Sequence, residues 1–581
     1  MKRFCSLLTV LCLWALALTA QEQTVNLKIV QTSDIHGNYF PYDFILRKEA
    51  AGSLARVHTY VQQQRQQYGD NLLLLDNGDF LQGQPTAYYY NYIDTVASHL
   101  GAEVLNYMGY DAGNVGNHDI ETGRAVFDRW AGDCRFPVLG ANIVDAETGR
   151  PHFRPYAVFH RQGVKIVVLG MITPAIPVWL PENLWKGLRF DDMEQTARRW
   201  MKVIRDEEKP DLVIGLFHSG QEVALQSGLY RDNASVEVAQ RVPGFDMVLI
   251  GHDHAHASRK VCNVEGDSVW VMDPANGGKV VSDVEVSLQL RDGKVVAKDI
   301  RGQLTPMAHY EPSADFLQHF EPQYKEVQAF VNKKIGRFTE TISTRPAYFG
   351  PSAFVDLIHQ LQLAISGAEI SFVAPLSFDT RIQAGDICVS DMFNLYKYEN
   401  MLYTMRLTGR EIKDFLEYSY AHWTARMQKA DDPLLLLRDQ PRSGAADRAA
   451  FRYFSYNFDS AAGIRYTVDV TRPEGQKITI ECLADGTPFD LERTYRVALN
   501  SYRGNGGGGL LTDGAGIPQG ELKHRIERAT DKDLRFYLMR YIEQQGEISP
   551  KPLNQWKFVP EQWTVPAAKR DYLRLFGTES E

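Results

Sequence analysis

Between residues 25 and 305 the chain repeats one pattern, a short aliphatic run that ends abruptly in a turn rich in Asp, Asn, His and Gly. Residues 27–30 (LKIV) lead into TSDIHGNY, 72–75 (LLLL) into DNGDF, 212–217 (LVIGLF) into HSG, and 247–250 (MVLI) into GHDH. Apolar runs of this kind, bounded by turn residues, read as strands buried on both faces. If they belong to one sandwich, their C-terminal ends bring the clusters to one edge, where ligand groups sit in many α/β enzymes. Singly, each cluster is first a turn signal, and a lone His after a strand is most often a surface residue. Their order and shared position carry the weight.

Beyond this region the period changes. Residues 306–336 read as a connecting helix, with Phe316, Leu317, Phe320, Tyr324, Val327 and Val331 near helical spacing and a break at Pro322. Residues 337–552 read as a second, α+β domain. It has strand-like stretches at 464–470 and 495–499, a glycine loop at 504–509, and a helix over 531–545 in which Leu534, Tyr537, Leu538, Tyr541 and Ile542 share a core face and Gly546 offers a stop. Residues 425–450 keep no period and read as a surface insertion, and 553–581 as a C-terminal tail.

A length of 581 residues suits two sizeable domains, and 44% hydrophobic with 23% charged residues is a globular balance. The first residues differ: Lys2 and Arg3, an apolar run over 7–18, then Thr19, Ala20 and Gln21. That layout predicts a signal peptide over 1–20, cleaved after Ala20, and an exported protein, periplasmic or extracellular. Cys12 sits inside the apolar run, which argues against lipidation. No other run predicts membrane insertion. Removing Lys2 and Arg3 takes the formal charge from −9 to −11, the wrong sign for backbone-driven binding of a nucleic-acid polymer. Cys134, Cys262, Cys388 and Cys482 remain, without paired zinc-ribbon spacing.

The strand-end turns offer Asp34, His36, Asp79, Asn117, His118, His218, His252 and His254. Imidazoles, carboxylates and one amide oxygen, with no thiolate, suit zinc, manganese, iron or cobalt better than calcium. Seven of these residues, without His118, serve two divalent ions if one carboxylate bridges, and Asp79 is the expected bridge. Such a pair polarises phosphoryl oxygens and screens charge against an incoming nucleophile, which is what phosphate-ester hydrolysis needs. His118, beside Asn117, is then free to act as acid or hydrogen-bond donor.

TSDIHG, DNGDF, GNHD, HSG and GHDH together resemble the blocks of the calcineurin-like metallophosphoesterases. DNGDFLQGQP, ANIVDAETG, GMITP and NSYRGNGGGG extend the likeness to the exported 5′-nucleotidase and 2′,3′-cyclic-nucleotide phosphodiesterase family over nearly the whole mature chain. The resemblance implies a four-layer α/β/β/α domain over 25–305 followed by an α+β substrate-binding domain, with the active site between them. It implies that Asp34, His36, Asp79 and His254 hold one metal, and Asp79, Asn117, His218 and His252 the other. His118 would be the catalytic histidine, with Glu121 or Asp119 as its partner where 5′-nucleotidases of the family carry an aspartate. Phe458 and Tyr502 would sandwich the base of a nucleotide substrate, with Arg503 and Arg381 as further substrate contacts. Gly508 stands where those 5′-nucleotidases carry a ribose-binding aspartate, and APLSFDTR replaces their glycine block.

The expectation is therefore a 2′,3′-cyclic-nucleotide 2′-phosphodiesterase/3′-nucleotidase, with 5′-nucleotidase or UDP-sugar hydrolase activity as the alternative. A catalytically inactive nucleotide-binding protein is the competitor from another class.

Overall fold

The computed structural model describes residues 22–221, 231–438 and 450–577. The expected signal peptide lies outside the described residues, as does 439–449 of the expected insertion.

Two six-stranded sheets form the N-terminal domain. In the first, strands Lys294–Pro306, Val280–Arg291, Glu22–Thr32, Leu72–Asp76, Ala112–Asn114 and Val138–Leu139 lie side by side. The second runs His256–Cys262, Ser268–Pro274, Met247–Ile250, Leu212–His218, Val164–Ile172 and Tyr156–Arg161. The strands that precede the ligand-rich turns pair in parallel with one another within each sheet. Alternate side chains take opposite faces of a strand, so each apolar run splits between two cores. Leu27, Ile29, Leu73, Leu75, Ile214, Leu216 and Leu249 fill the space between the sheets. Val30, Leu72 and Leu74 pack outward under helices such as Leu54–Tyr68, while Val213, Phe217 and Val248 pack under Met193–Val203 and Ser235–Arg241. The result is a four-layer α/β/β/α sandwich.

The connector is two helices, Ala314–His319 and Glu321–Val331. Pro322 falls in the first turn of the second helix, where its missing N–H costs nothing. Phe316, Phe320, Val327 and Val331 bury against the N-terminal domain, so the connector belongs to that core.

The second domain is built on a five-stranded sheet ordered Ser460–Ala462, Ile370–Val373, Thr494–Asn500, Met401–Thr408 and Ile526–Asp533. The helix expected from residue 531 starts at Leu534, because 531–533 finish a strand and Asp533 caps the helix by accepting from the Phe536 amide. Two further expectations fail here. The expected tail forms strand Trp556–Val559, paired in parallel with Ile464–Asp469, and helix Glu561–Phe576. The described part of the expected surface insertion is anchored: Leu434 and Leu435 are fully buried, and their amides donate to Asp571 of that last helix at 2.8 and 2.9 Å. Buried aliphatics without a helical or strand period gave no local signal of this docking. Among the described residues no helix is long and apolar enough to cross a membrane.

Asp571→Ala would leave two buried amides without an acceptor, and is expected to lower the unfolding free energy by about 2 kcal/mol in urea titration.

Candidate active site

The turns at the strand ends converge in two groups. Asp34, His36 and His254 form the first, with His36 Nε2 3.0 Å from His254 Nε2, and His254 Nε2 3.2 Å from Asp34 Oδ1. Asp79, His218 and His252 form the second, with His218 Nε2 3.2 Å from Asp79 Oδ2. Asn117 joins it: its Oδ1 is 2.8 Å from His252 Nδ1 and 3.2 Å from His218 Nε2. Asp79 Oδ2 also lies 4.0 Å from His36 Nε2, so one carboxylate oxygen faces both groups.

The backbone is bent to achieve this. Asp34, His36, Asp79, His252 and His254 all have positive φ, between 51° and 80°, a region that non-glycine residues seldom enter. Strain of this sort, of order 1–3 kcal/mol per residue, persists where the surroundings over-determine it, and it concentrates at functional sites. Two glycines permit the approach: a Cβ on Gly116 would overlap Asp79, and one on Gly251 would overlap Ser33 and Asp34.

Ring orientations are fixed from behind. His36 Nδ1 faces the Gln82 carbonyl at 3.0 Å, His218 Nδ1 the Asn77 carbonyl at 2.7 Å, His254 Nδ1 the Asn276 amide at 3.1 Å, and His252 Nε2 the Asp232 carboxylate at 2.9 Å. In each imidazole the remaining nitrogen points into its group. Buried donors of N and O type converging around a shared carboxylate fit a pair of divalent ions.

His118 stands beside the groups. Its ring centroid is 5.5 Å from that of His36, its Nδ1 is 2.5 Å from Glu121 Oε2, and its backbone N–H donates to Asp79 Oδ1 at 2.8 Å. Burial works against protonation of His118, but the carboxylates of Asp79 and Glu121 outweigh it and carry the pKa up to about 10. Asp119 has another task. It accepts from the amides of Asp79, Phe80, Leu81 and Gly116 at 2.8–2.9 Å, which ties the DNGDF turn to the GNHD turn. Burial and then the Asp79 charge raise its pKa to about 6. With its carboxylate committed to four amides, Asp119 positions the loop while Glu121 contacts the His118 ring.

The second domain reaches this edge through its glycine loop. Asn505 Nδ2 lies 3.4 Å from the Trp179 carbonyl, and the Trp179 ring stacks on His252 with centroids 5.6 Å apart.

Residues 27–256 match calcineurin-like phosphoesterase, and residues 334–513 match 5′-nucleotidase, C-terminal domain. The chain belongs to the calcineurin-like phosphoesterases that carry a 5′-nucleotidase C-terminal domain. It is 28% identical to the trifunctional nucleotide phosphoesterase protein YfkN of Bacillus subtilis, covering 92% of this chain but only 39% of that longer protein. Against a 2′,3′-cyclic-nucleotide 2′-phosphodiesterase/3′-nucleotidase of Yersinia enterocolitica it is 25% identical, over 93% of this chain and 89% of the relative. A 5′-nucleotidase precursor from Thermus thermophilus shares the fold, with a TM-score of 0.62 at 22% identity, over 92% of this chain and all of that one.

On the substrate side, this two-domain phosphoesterase departs from two expectations, at Phe458 and at Arg503. Phe458 is fully buried, stacked on Trp423 at 5.5 Å and packed edge-on against Phe451, so it is a core residue. The ring near Tyr502 is Tyr456, at 6.4 Å and 79°, with both rings half-buried. A short 3₁₀ turn over Ser455–Asn457 turns Phe458 inward, and nothing in YFSYNF singles out which aromatic stays outside. Arg503, expected as a substrate contact, is 1% exposed and paired with Asp459 at 2.6 Å. Arg381 is exposed on a two-residue strand paired with Ile342–Ser343, and among the described residues no hydrogen bond or ion pair links it to the metal-ligand groups. The arginine that engages the APLSFDTR segment is Arg345, which holds Asp379 at 2.7 Å.

Asp232 and Trp179 carry no motif and were illegible in the sequence, although both back a candidate ligand. Asp232→Asn keeps the shape but removes the charge behind His252. It is expected to weaken the ion held by the Asp79, His218 and His252 group by roughly 10–100-fold in chelator competition, leaving the ion of the Asp34, His36 and His254 group unchanged.

Proposed function

We propose that the protein is a two-metal hydrolase of nucleotide phosphate esters, acting on 2′,3′-cyclic nucleotides at the 2′ ester and then on the 3′-monoesters to give nucleoside and phosphate. Each step consumes one water. The observation that carries the reading is the single Asp79 carboxylate facing both ligand groups, with the His118–Glu121 pair beside it. Asp34, His36, Asp79 and His254 hold one ion and Asp79, Asn117, His218 and His252 the other. The all-nitrogen-and-oxygen donor set suits zinc, manganese, iron or cobalt. When bound, the pair supplies Lewis acidity and neutralises charge on the phosphoryl oxygens.

His118, oriented through Nδ1 by Glu121, presents Nε2 as donor to the phosphoryl group or the leaving sugar oxygen. The Tyr456 and Tyr502 rings receive the base. Stacking is tolerant of base identity because every base offers a π-face. Names of relatives that cover most of this chain favour the cyclic and 3′ esters, and the signal-like N-terminus supports export to the periplasm or beyond.

Mature protein stripped of metal and reloaded with zinc, manganese or cobalt is expected to hydrolyse 2′,3′-cyclic AMP and 3′-AMP with higher kcat/KM than 5′-AMP or UDP-glucose. A preference for 5′-AMP would reverse the ester assignment, and inactivity on all four would favour a binding protein. His118→Asn is expected to reduce kcat roughly 10²–10⁴-fold with metal content unchanged by mass spectrometry. Replacing Tyr456 and Tyr502 together by Ala should raise nucleotide KM while sparing metal content.

A further inference from the structure

Arg503 is one of the largest fully buried side chains in the protein, and its guanidinium spans two loops. Nη1 donates to Asn457 Oδ1 at 3.1 Å and to the Gly507 carbonyl. Nη2 donates to the Tyr456 carbonyl at 3.1 Å and to Asp459 Oδ2 at 2.6 Å. The start of its own segment is pinned by Asn500, whose Oδ1 accepts from the Arg503 amide at 2.8 Å. The guanidinium carbon also lies 5.5 Å from the Tyr502 ring centroid. A Cβ on Gly508 would overlap Arg503 and Asn457, so the glycine loop closes directly on this fork.

Within the turn that carries Tyr456, Asn457 N–H donates to the Phe454 carbonyl and Phe458 N–H to the Ser455 carbonyl, each at 3.0 Å, and the Tyr456 ring stacks on Phe454 with centroids 5.2 Å apart. Its Tyr456 carbonyl and Asn457 side chain are referenced to the loop bearing Tyr502 through Arg503. A guanidinium suits this task because it is planar and directs several donors at fixed angles, whereas an ammonium is a point donor on a flexible stem.

We propose that Arg503 is a positioning residue that sets the spacing and angle of the Tyr456 and Tyr502 rings, 6.4 Å and 79°, and thereby the affinity for the base of the substrate, without touching the substrate itself. The inference rests on the reading of those rings as the base site. It assigns to one buried ion pair, Arg503–Asp459, a specificity role in addition to its part in the core. Because the fork acts on the base and not on the phosphate, its effect falls on KM for base-bearing esters. Chemistry at the metal centre and esters without a ring are unaffected.

The test compares 3′-AMP with glycerol 2-phosphate, which has no ring to stack, in Arg503→Lys. Lysine keeps a positive charge for Asp459 but cannot hold both loops. The expected result is a KM for 3′-AMP raised roughly tenfold, within the range that a base–aromatic stack contributes, with kcat within about twofold and kcat/KM for glycerol 2-phosphate unchanged. An unchanged KM for 3′-AMP overturns the proposal, and so does an equal loss on both substrates, which would make Arg503 a purely structural residue. Should Arg503→Lys fail to fold, Asn457→Ala removes one acceptor and leaves the ion pair; a rise of about threefold in the same KM supports the strut, and no rise overturns it. Tyr456→Ala with Tyr502→Ala is run in parallel. If that pair raises KM while both strut variants leave it unchanged, only the strut fails. If the pair leaves KM unchanged, the base site itself is wrong.

Discussion

Asp79 has to face two groups of ligands with one carboxylate, and most of the architecture around it follows from that demand. Its φ of 55° aims the side chain across the strand ends, at a conformational cost that the sandwich must absorb. Asp119 fixes the Asp79 amide, the His118 amide holds Oδ1, and the missing Cβ of Gly116 leaves room for the approach. Burial alone would push the Asp79 pKa up, yet His218 and His118 pull it well below the usual carboxylate range, so the group is built to stay charged. A buried charge is tolerable only where partners surround it, and here those partners are the remaining ligands and their neighbour.

The second domain is held to this centre by a buried seam. Tyr88 of the N-terminal domain packs among apolar residues of the C-terminal one, beneath the Arg535 guanidinium at 5.1 Å. Tyr92 donates to Glu399 at 3.0 Å, and Arg535 is 3.6 Å from the same carboxylate. Breaking one member of such a buried set strands the others without partners, which costs more than the contact itself contributes. This seam lets the glycine loop meet Trp179, and through it His252, at a defined distance. The glycine loop and the metal-ligand groups are thereby referenced to one another.

Legibility in the sequence followed from how local each signal is. A strand buried on both faces and ending in a ligand-rich turn writes its whole meaning in a few consecutive residues, so the sandwich edge and its eight polar groups could be read directly. The choice between Glu121 and Asp119 needed the fold, because both sit within one helical turn of His118 and only coordinates show Asp119 spent on four backbone amides. The aromatic near Tyr502 depended on a single 3₁₀ turn, which exchanges Tyr456 for Phe458 without changing composition. The last helix was missed because Ala567 and Asp571 dock onto Leu434 and Leu435, contacts more than a hundred residues apart.

Gly508 and Arg503 share one space in the fold. An aspartate at 508 would have to enter a positive-φ position, 74°, and share space with the Arg503 guanidinium and Asn457. Placing Arg503 in that space removes room for a carboxylate and spends the guanidinium on backbone carbonyls, Asn457 and Asp459. On the proposed reading, what the pocket lacks in polar recognition of the sugar is offset by the fixed placement of the Tyr456 and Tyr502 rings. On that same reading, a base held by the Tyr456 and Tyr502 rings and a phosphate held by metals would fix the two ends of a nucleotide while leaving the sugar between them lightly constrained. That division of labour suits esters whose phosphate is carried on the 2′ and 3′ oxygens, where a side chain gripping both hydroxyls would meet the phosphate instead.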